Sequence, residues 1–232
     1  MNAPALLANS RLRSLETVLG WMLHDIRNPV QTVTLLSALM ADPDFGCDAP
    51  SLESLGTACE RIRHELELID RLVGNPMEPV TPAPLTLADS FGFLVELFRA
   101  RRGTFRLDLS GLETSTLPAV SGRAREVETA FLELVLNAAE AGCSQLHVRS
   151  LVHPAGVDLV LEDDGPGVPE ALRGRLFQPF VTSHSDRPDR GLGLYAARQL
   201  LEASGGSLDY EAGSRGGRLV VRLPLWRTPG RA

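Results

Sequence analysis

ELVLNAAEAG, residues 133–142, is an apolar helical stretch in which two polar residues, Glu133 and Asn137, lie one turn apart on one face. Asparagine is a poor residue for a helix interior because its amide competes with the backbone for hydrogen bonds. Asn137 is therefore either a cap or incidental polar position, or a carbonyl ligand for Mg²⁺, whose other ligands are waters and phosphate oxygens. Glu133 is a candidate for holding a metal-bound or attacking water, or for supporting proton transfer from the acceptor.

A strand predicted over residues 156–163 ends in Asp163 and continues into DGPGV, residues 164–168. A carboxylate at the base of a pocket accepts a hydrogen bond from the adenine amino group, whereas guanine presents a carbonyl oxygen there and is repelled. Gly165 and Gly167 allow the backbone to turn and to approach the base, although a DxGxG string alone is often only a tight turn. The pattern favours a site that selects ATP over GTP.

A second glycine-rich turn occurs in RGLGLYAARQLL, residues 190–201, at the start of a predicted helix. Its turn residues are Gly191, Leu192 and Gly193. Unpaired N–H groups and the positive end of a helix dipole receive phosphates at such a position, although a simple helix cap has the same appearance. The polar segment at 176–190, which includes Thr182, has few apolar anchors, and we interpret it as a nucleotide lid that orders when ligand binds.

Two seams of apolar residues at alternating steps of three and four predict a helical hairpin in the N-terminal part of the chain. The seams are Leu12, Leu15, Leu19, Met22, Ile26, Pro29, Val33, Leu36 and Met40, then Leu52, Leu55, Cys59, Ile62, Leu66, Ile69 and Val73. A turn-rich segment at 41–50 separates them. Two helices alone cannot cover both seams from water, so we expect a second copy to complete a four-helix bundle in a homodimer.

The first predicted helix contains HDIRNPV, residues 24–30. His24 falls at heptad position f, on the solvent face, and Asn28 lies one turn later on the same face. Pro29 deletes a backbone hydrogen bond and should bend the helix beside the histidine. An exposed histidine beside an acid is usually a solvated pair. The functional alternative is a nucleophilic imidazole, with Asp25 as the candidate that holds the other ring N–H and fixes the tautomer.

Four prolines in GNPMEPVTPAPL, residues 74–85, forbid a continuing helix and suit a linker. We therefore predict three regions: residues 1–74 as the dimerising phospho-acceptor hairpin, 75–84 as the linker, and 85–232 as an α+β sandwich with helices on one sheet face. The predicted elements of the sandwich are helices at 86–101, 123–142 and from about 193, and strands at 105–110, 145–152, 156–163, 207–211 and 217–223.

Composition excludes several classes of function. The formal net charge of −6 and the scattered basic residues give no footprint for nucleic acid or an anionic membrane. All 23 basic residues are arginine, so a P-loop lysine is ruled out. No signal peptide or apolar stretch of about 18 residues occurs, and the three cysteines lack metal-ligand spacing, so we expect a cytoplasmic protein that does not span a membrane. The cysteines are Cys47, Cys59 and Cys143.

Two groups of motifs carry a family resemblance. HDIRNPV at 24–30 resembles the phospho-acceptor box of histidine kinases. The asparagine helix, the DxGxG loop, a Phe-x-Pro-Phe segment and the GLGL turn, within 133–201, resemble the ATP-binding fold shared by histidine kinases, gyrase, heat-shock chaperones and mismatch-repair ATPases. This resemblance implies that the position of Asn137 binds Mg²⁺, that the position of Asp163 binds adenine, and that the two glycine loops border the nucleotide.

The resemblance implies an ATP-dependent protein-histidine kinase that autophosphorylates His24 and passes the phosphate to an aspartate on a response regulator receiver domain. In kinases that resemble this one, an amide at the position of Asn28 orients water for hydrolysis of the regulator's aspartyl phosphate; alternatively, Asn28 only accommodates Pro29. Only about ten residues precede the predicted first helix, so we expect the input to come from a separate sensory protein.

Three positions depart from the family pattern. Glu133 stands where many histidine kinases have asparagine, which leaves open some hydrolysis of ATP by water. Asp189 replaces a common glycine and His184 a common lysine, so phosphate contacts are expected from Arg187 or Arg190. Two alternatives to the kinase remain: a non-catalytic phosphotransfer or scaffold protein, and an ATPase of the gyrase and mismatch-repair type.

Overall fold

The computed structural model describes residues 3–40, 49–73, 83–99, 105–112, 116–182, 191–212 and 216–227. The chain forms two compact units: a helical unit, residues 15–76, and an α/β unit, residues 1–14 together with 77–232. The first fourteen residues therefore group with the C-terminal part of the chain, whereas the sequence predicts them as part of the hairpin. Among the described helices, none combines the length and the hydropathy that a membrane span requires.

Two long helices account for the N-terminal part of the chain: α1 at Ala3–Met40 and α2 at Ala49–Val73. Both predicted helices are present, and Pro29 lies inside α1 without ending it. In the helical unit, Val18, Met22 and Ala58 are buried. Part of the predicted seam is exposed to solvent in the single chain, since Leu52 and Leu66 are about half exposed. Leu12, which the seam predicts as buried, is exposed in the α/β unit.

The α/β unit contains the remaining elements in a βαββαββααββ order. They are β1 Ala83–Leu85, α3 Leu87–Arg99, β2 Arg106–Gly111, β3 Val120–Gly122, α4 Ala124–Glu140, β4 Gln145–His153, β5 Gly156–Asp163, α5 Glu170–Arg173, α6 Gly193–Ala203, β6 Ser207–Ala212 and β7 Gly217–Pro224. Five strands form one sheet in the order β2-β4-β5-β7-β6, with β2 and β4 parallel and the other pairs antiparallel. This confirms the predicted α+β sandwich, and β5 is its central strand.

A second, two-stranded sheet joins β1 to β3 in antiparallel register, with Leu85 opposite Val120. The sequence did not predict either strand, and β1 includes Ala83 and Pro84, which the prediction assigns to the linker. Both strands have only three residues, and a proline is compatible with a short edge strand. The short helix α5 was not predicted either.

Strand β5 supplies several buried side chains to the core of the sandwich. Val157, Leu159 and Leu161 are almost fully buried. The alternate positions are mixed: Val160 is buried as well, whereas Glu162 pairs with arginines of the two neighbouring strands at 3.6 Å. The helices supply the other half of the core, where the rings of Phe91 from α3 and Phe131 from α4 stack with centroids 4.7 Å apart. Burying each such side chain stabilises the fold by about 1.5 to 3 kcal/mol.

Candidate functional site

Asp163 is the last residue of the central strand, and backbone groups hold its carboxylate. Its Oδ1 accepts hydrogen bonds from the N–H of Gly165 at 2.9 Å and from the N–H of Gly217 at 3.1 Å. A Cβ on Gly217 would lie only 2.5 Å from Oδ2 of Asp163, so a side chain there would displace the carboxylate. Two donors on one oxygen fix the orientation of a carboxylate, which is what recognition of a planar base requires.

The neighbouring Asp164 has a different role. Its carboxylate accepts hydrogen bonds from the N–H of Ser144 at 2.8 Å and of Gln145 at 2.9 Å, and from the hydroxyl of Ser144. These bonds, that of the Ser144 hydroxyl above all, lower the pKa of Asp164. Asp164 therefore ties the loop after β5 to the start of β4. Asp163 stays the candidate for contact with a ligand, and that role remains a prediction.

Cys143 is a neighbour of Asp163 that the sequence analysis did not connect to this site. It is buried, and its Sγ occupies the space next to Gly165, since a Cβ built on Gly165 would lie 2.5 Å from it. Burial, with a further contribution from the charge of Asp163, raises the pKa of the Cys143 thiol to about 12. The thiol is therefore protonated and unreactive at physiological pH.

The two polar residues of α4 have opposite environments. Asn137 is exposed, as a ligand for a metal or a phosphate would need to be. Glu133 is only 4% exposed, and its Oε1 accepts hydrogen bonds from the hydroxyls of Ser14 at 2.6 Å and Ser10 at 3.0 Å. Burial raises the pKa of Glu133 to about 7, although both serine hydrogen bonds oppose the shift. The catalytic role of Glu133 stays a prediction.

The sequence analysis missed both serines. In the sequence, Glu133 follows Ser10 by 123 positions and Ser14 by 119 positions, so no local pattern reveals these contacts. The available signal was their spacing of four within a helix that the analysis began only at Leu12, a spacing that places two hydroxyls on one face.

The glycine turn before α6 packs closely against Phe180 and Val181, in the first half of the predicted lid. The N–H of Phe180 donates to the carbonyl of Gly191 at 2.9 Å. Both residues have left-handed backbone, with φ of 65° and 86°, and a Cβ on Gly191 would lie 2.6 Å from the carbonyl oxygen of Val181. Glycine is needed at this position. The turn continues through the buried Leu192 into Gly193, the first residue of α6.

Gly193 lies beside Glu133, since a Cβ built on Gly193 would come within 3.0 Å of Oε2 of that glutamate. The fold thus brings together two of the predicted site segments, the glycine turn and the asparagine helix. Thr182 is described and half-buried. His184, Arg187, Asp189 and Arg190 lie outside the described residues, and so does most of the predicted lid.

In the helical unit, His24 and Asn28 are both exposed on α1, as their predicted heptad positions require. The side chain of Asp25 is outside the described part of the chain. Asn28 lies at a cleft of about 380 Å³ between the two helices. Thr32, one turn later, donates its hydroxyl to the carbonyl of Asn28 at 3.1 Å. The cleft is lined by Asn28, Pro29, Thr32, Glu53, Ser54, Thr57, Ala58 and Arg61.

Comparison with known proteins identifies the C-terminal region. Residues 122–227 match the family model described as "Histidine kinase-, DNA gyrase B-, and HSP90-like ATPase", which includes the elements that hold Glu133, Asn137 and Asp163. Residues 122–227 form a histidine kinase-type ATP-binding core. The DxGxG loop and the GLGL turn, which carry the resemblance drawn from the sequence, both lie within this match.

Relatives of the whole chain are named as sensors and kinases. The two-component sensor PprA of Pseudomonas aeruginosa is 25% identical over 95% of this chain and 25% of its own length. The signal transduction histidine-protein kinase/phosphatase MprB of Mycobacterium ulcerans is 30% identical over 90% of this chain and 42% of its own. A solved structure of the mycobacterial sensor histidine kinase MprB is 25% identical and has a TM-score of 0.52. The match covers 64% of this chain and 100% of the MprB chain. The chain spans between a quarter and about a third of the three curated relatives compared first.

Proposed function

We propose that this chain is the core of an ATP-dependent protein-histidine kinase that phosphorylates its own His24. The observation that carries the proposal is Asp163, fixed by the N–H groups of Gly165 and Gly217 at the end of β5 within an ATP-binding core, in a chain that also presents an exposed histidine. The names of the relatives, two-component sensor and histidine-protein kinase/phosphatase, support the same function.

The proposed transfer is a direct displacement at phosphorus. A ring nitrogen of His24 donates its lone pair to the γ-phosphorus of ATP, the bond from that phosphorus to the oxygen of ADP breaks, and a phosphoramidate forms. Asp25 accepts the hydrogen bond of the other ring N–H, which keeps the attacking nitrogen free of a proton. The carboxylate of Asp163 accepts the adenine amino hydrogens and thereby excludes guanine.

We propose that Mg²⁺ accompanies the nucleotide. The exposed Asn137 supplies one carbonyl oxygen, which fits an ion that keeps water and phosphate oxygens as most of its ligands. In the described part of the chain, no three His, Cys, Asp or Glu side chains form a group that would hold a metal without a nucleotide. A bound Mg²⁺ would neutralise charge on the transferring phosphate.

The proposed recipient of the phosphate is an aspartate on a response regulator receiver domain. The proposed second activity is hydrolysis of that aspartyl phosphate, with the amide of Asn28 orienting the water. Two observations support it: Asn28 is exposed at the rim of the cleft between α1 and α2, and MprB, a relative, is named a kinase/phosphatase. Asn28 lies one turn from His24, so one surface would serve both reactions.

The proposed assembly is a homodimer formed through the helical unit. Among the described residues of this unit, five large apolar side chains remain about half exposed in the single chain, as is typical of a surface that a partner covers. They are Leu23, Val30, Leu35, Leu52 and Leu66. A second copy covering them would complete the four-helix bundle.

We also propose a cytoplasmic location. Cys59 and Cys143, the two cysteines in the described residues, are both unpaired, which suits a reducing compartment.

The two alternatives receive less support. For a gyrase-type ATPase, Glu133 would have to act on water, but its carboxylate is buried and bonded to two serines. A scaffold without nucleotide chemistry has no need of a carboxylate held as that of Asp163 is.

Labelling with radioactive ATP tests the proposal. The purified chain, incubated with Mg²⁺ and ATP labelled in the γ-phosphate, should acquire label that acid removes and alkali does not, because phosphoramidates are acid-labile. ATP labelled in the α-phosphate should leave no label. His24→Ala should abolish the signal and His153→Ala, on β4, should keep it. Equal labelling of His24→Ala and the unaltered chain would overturn the assignment.

A further inference from the structure

The hydroxyls of Ser10 and Ser14 reach a carboxylate that belongs to the ATP-binding core. Both serines are almost fully buried, at 3% and 7% exposure, and both donate to the same oxygen, Oε1 of Glu133. All three are among the few buried polar residues of the described chain. These hydrogen bonds matter for stability, because a buried carboxyl or hydroxyl group without a partner would carry a desolvation cost.

The serines belong to one face of the first turns of α1. Leu6, Ser10 and Ser14 follow one another at steps of four and are all buried. Residues 1–14 form part of the α/β unit, although the rest of α1 does not. This N-terminal segment is therefore a component of the ATP-binding unit, in addition to the residues that the family match covers.

The second oxygen of Glu133 is also engaged by its surroundings. Oε2 lies next to Gly193, where a side chain would come within 3.0 Å, and Gly193 is the first residue of α6 after the glycine turn. Asn137, one turn along the same helix, is exposed, whereas Glu133 is not. The carboxylate thus points at the turn and the serines and is almost fully buried.

We propose that Ser10 and Ser14 are positioning residues that hold Glu133 in this buried orientation and thereby restrain the hydrolysis of ATP by water. The inference rests on the proposed nucleotide function. With the serine hydroxyls in place, Glu133 does not orient water against the γ-phosphate, so phosphate is kept for the histidine. Loss of the two donors frees the carboxylate to rotate toward the nucleotide side of α4, where it accepts a proton from an attacking water.

Release of ADP from Mg²⁺-ATP, followed in a coupled assay, tests the restraint. The double variant Ser10→Ala, Ser14→Ala should raise kcat for ATP hydrolysis about tenfold, while KM stays within about twofold, because the serines do not touch the nucleotide. Adding Glu133→Gln to the double variant should return kcat to the starting level. The conservative pair Ser10→Thr, Ser14→Thr keeps both hydroxyls and should keep the restraint.

Matched variants separate this inference from general damage. Ser37→Ala, an exposed serine of α1, should change nothing. If the double variant no longer binds ADP by calorimetry, the single Ser14→Ala, which keeps the Ser10 donor, should give a gain of about threefold. Unchanged or lower kcat in variants that bind ADP normally overturns the restraint, as does a gain that survives Glu133→Gln. A starting protein that does not bind ATP at all contradicts the proposed function instead.

Discussion

The backbone N–H of Gly217 donates a hydrogen bond to Oδ1 of Asp163 at 3.1 Å, and so joins the first residue of β7 to the last residue of β5. The second donor to this oxygen is the N–H of Gly165, in the loop that follows β5. Two backbone N–H groups, one from the sheet and one from the loop that follows β5, therefore orient the carboxylate.

Asp163→Asn should weaken the binding of ATP and ADP at least about tenfold, since an amide can turn its NH₂ toward the adenine amino group and lacks the charge-assisted acceptor. Isothermal calorimetry measures the effect. Asp164→Asn is the matched control, because that carboxylate is bonded to Ser144 and Gln145. The affinity of Asp164→Asn for ATP and ADP should stay within about twofold of that of the unaltered chain. Equal losses in both variants would remove Asp163 from the adenine site.

Glu133 makes the stability of the α/β unit depend on pH. Burial raises its pKa from 4.5 to about 7, while Ser14, Ser10 and Arg13 lower it and Glu140 raises it further. Because the folded pKa lies above the unfolded one, the contribution of Glu133 to stability is fully present below about pH 4.5 and is lost as the pH rises through about 7. The charged carboxylate then costs up to about 3 kcal/mol.

Glu133→Gln removes this charge and keeps a carbonyl oxygen for the serines. The variant should therefore unfold at higher denaturant concentration than the unaltered chain at pH 8, and the difference should shrink toward pH 5. Ser14→Ala, which removes a donor to the charged form, should destabilise the chain at pH 8 by about 1 to 2 kcal/mol. Stability curves of the unaltered chain and Glu133→Gln that run parallel from pH 5 to 8 would contradict the assigned shift.

Asn28→Ala should leave labelling of His24 largely intact and slow the loss of phosphate from the cognate regulator at least about tenfold, because the amide orients water. The measurement follows labelled regulator over time with the kinase and ADP present. Gln31 is an exposed polar residue on the same helix, and the Gln31→Ala variant should remove phosphate from the regulator at the normal rate. Identical decay with Asn28→Ala would assign Asn28 only to the accommodation of Pro29.

Leu66→Glu should convert the dimer to a monomer, since it would bury a carboxylate in the seam between copies. Light scattering at micromolar concentration gives the mass directly. The control is Leu151→Glu, which changes a leucine of similar exposure on β4 of the α/β unit and should leave the dimer intact. A monomeric unaltered chain would contradict the heptad argument itself.

The sequence was sufficient where structure follows from a local pattern. Strand β5 has the predicted bounds because its apolar residues, Val157 and then Leu159, Val160 and Leu161, form a run of strand length that ends before a Gly/Pro-rich loop. In the same way, His24 is exposed because its place in a heptad repeat is fixed by neighbours a few residues away. The prediction that Asp163 ends the strand is confirmed, whereas its contact with adenine stays a prediction.

Contacts between distant parts of the chain were beyond such patterns. Strands β1 and β3 have three residues each and are defined only by their pairing, in which Leu85 lies opposite Val120, 35 positions later in the sequence. The position of Cys143 beside Gly165, and the two serine bonds of Glu133, likewise depend on tertiary packing. Single-residue roles are therefore least predictable where the core is assembled from several elements.

Mapping of the phosphate is the most direct test of the kinase assignment. The chain is incubated with Mg²⁺ and ATP, kept at alkaline pH, and fragmented by electron transfer in a mass spectrometer, which preserves phosphoramidates. We predict a single phosphate on His24 that disappears after brief exposure to acid. Phosphate on serine, threonine or another histidine, or none at all in a chain that binds ATP, would contradict the account.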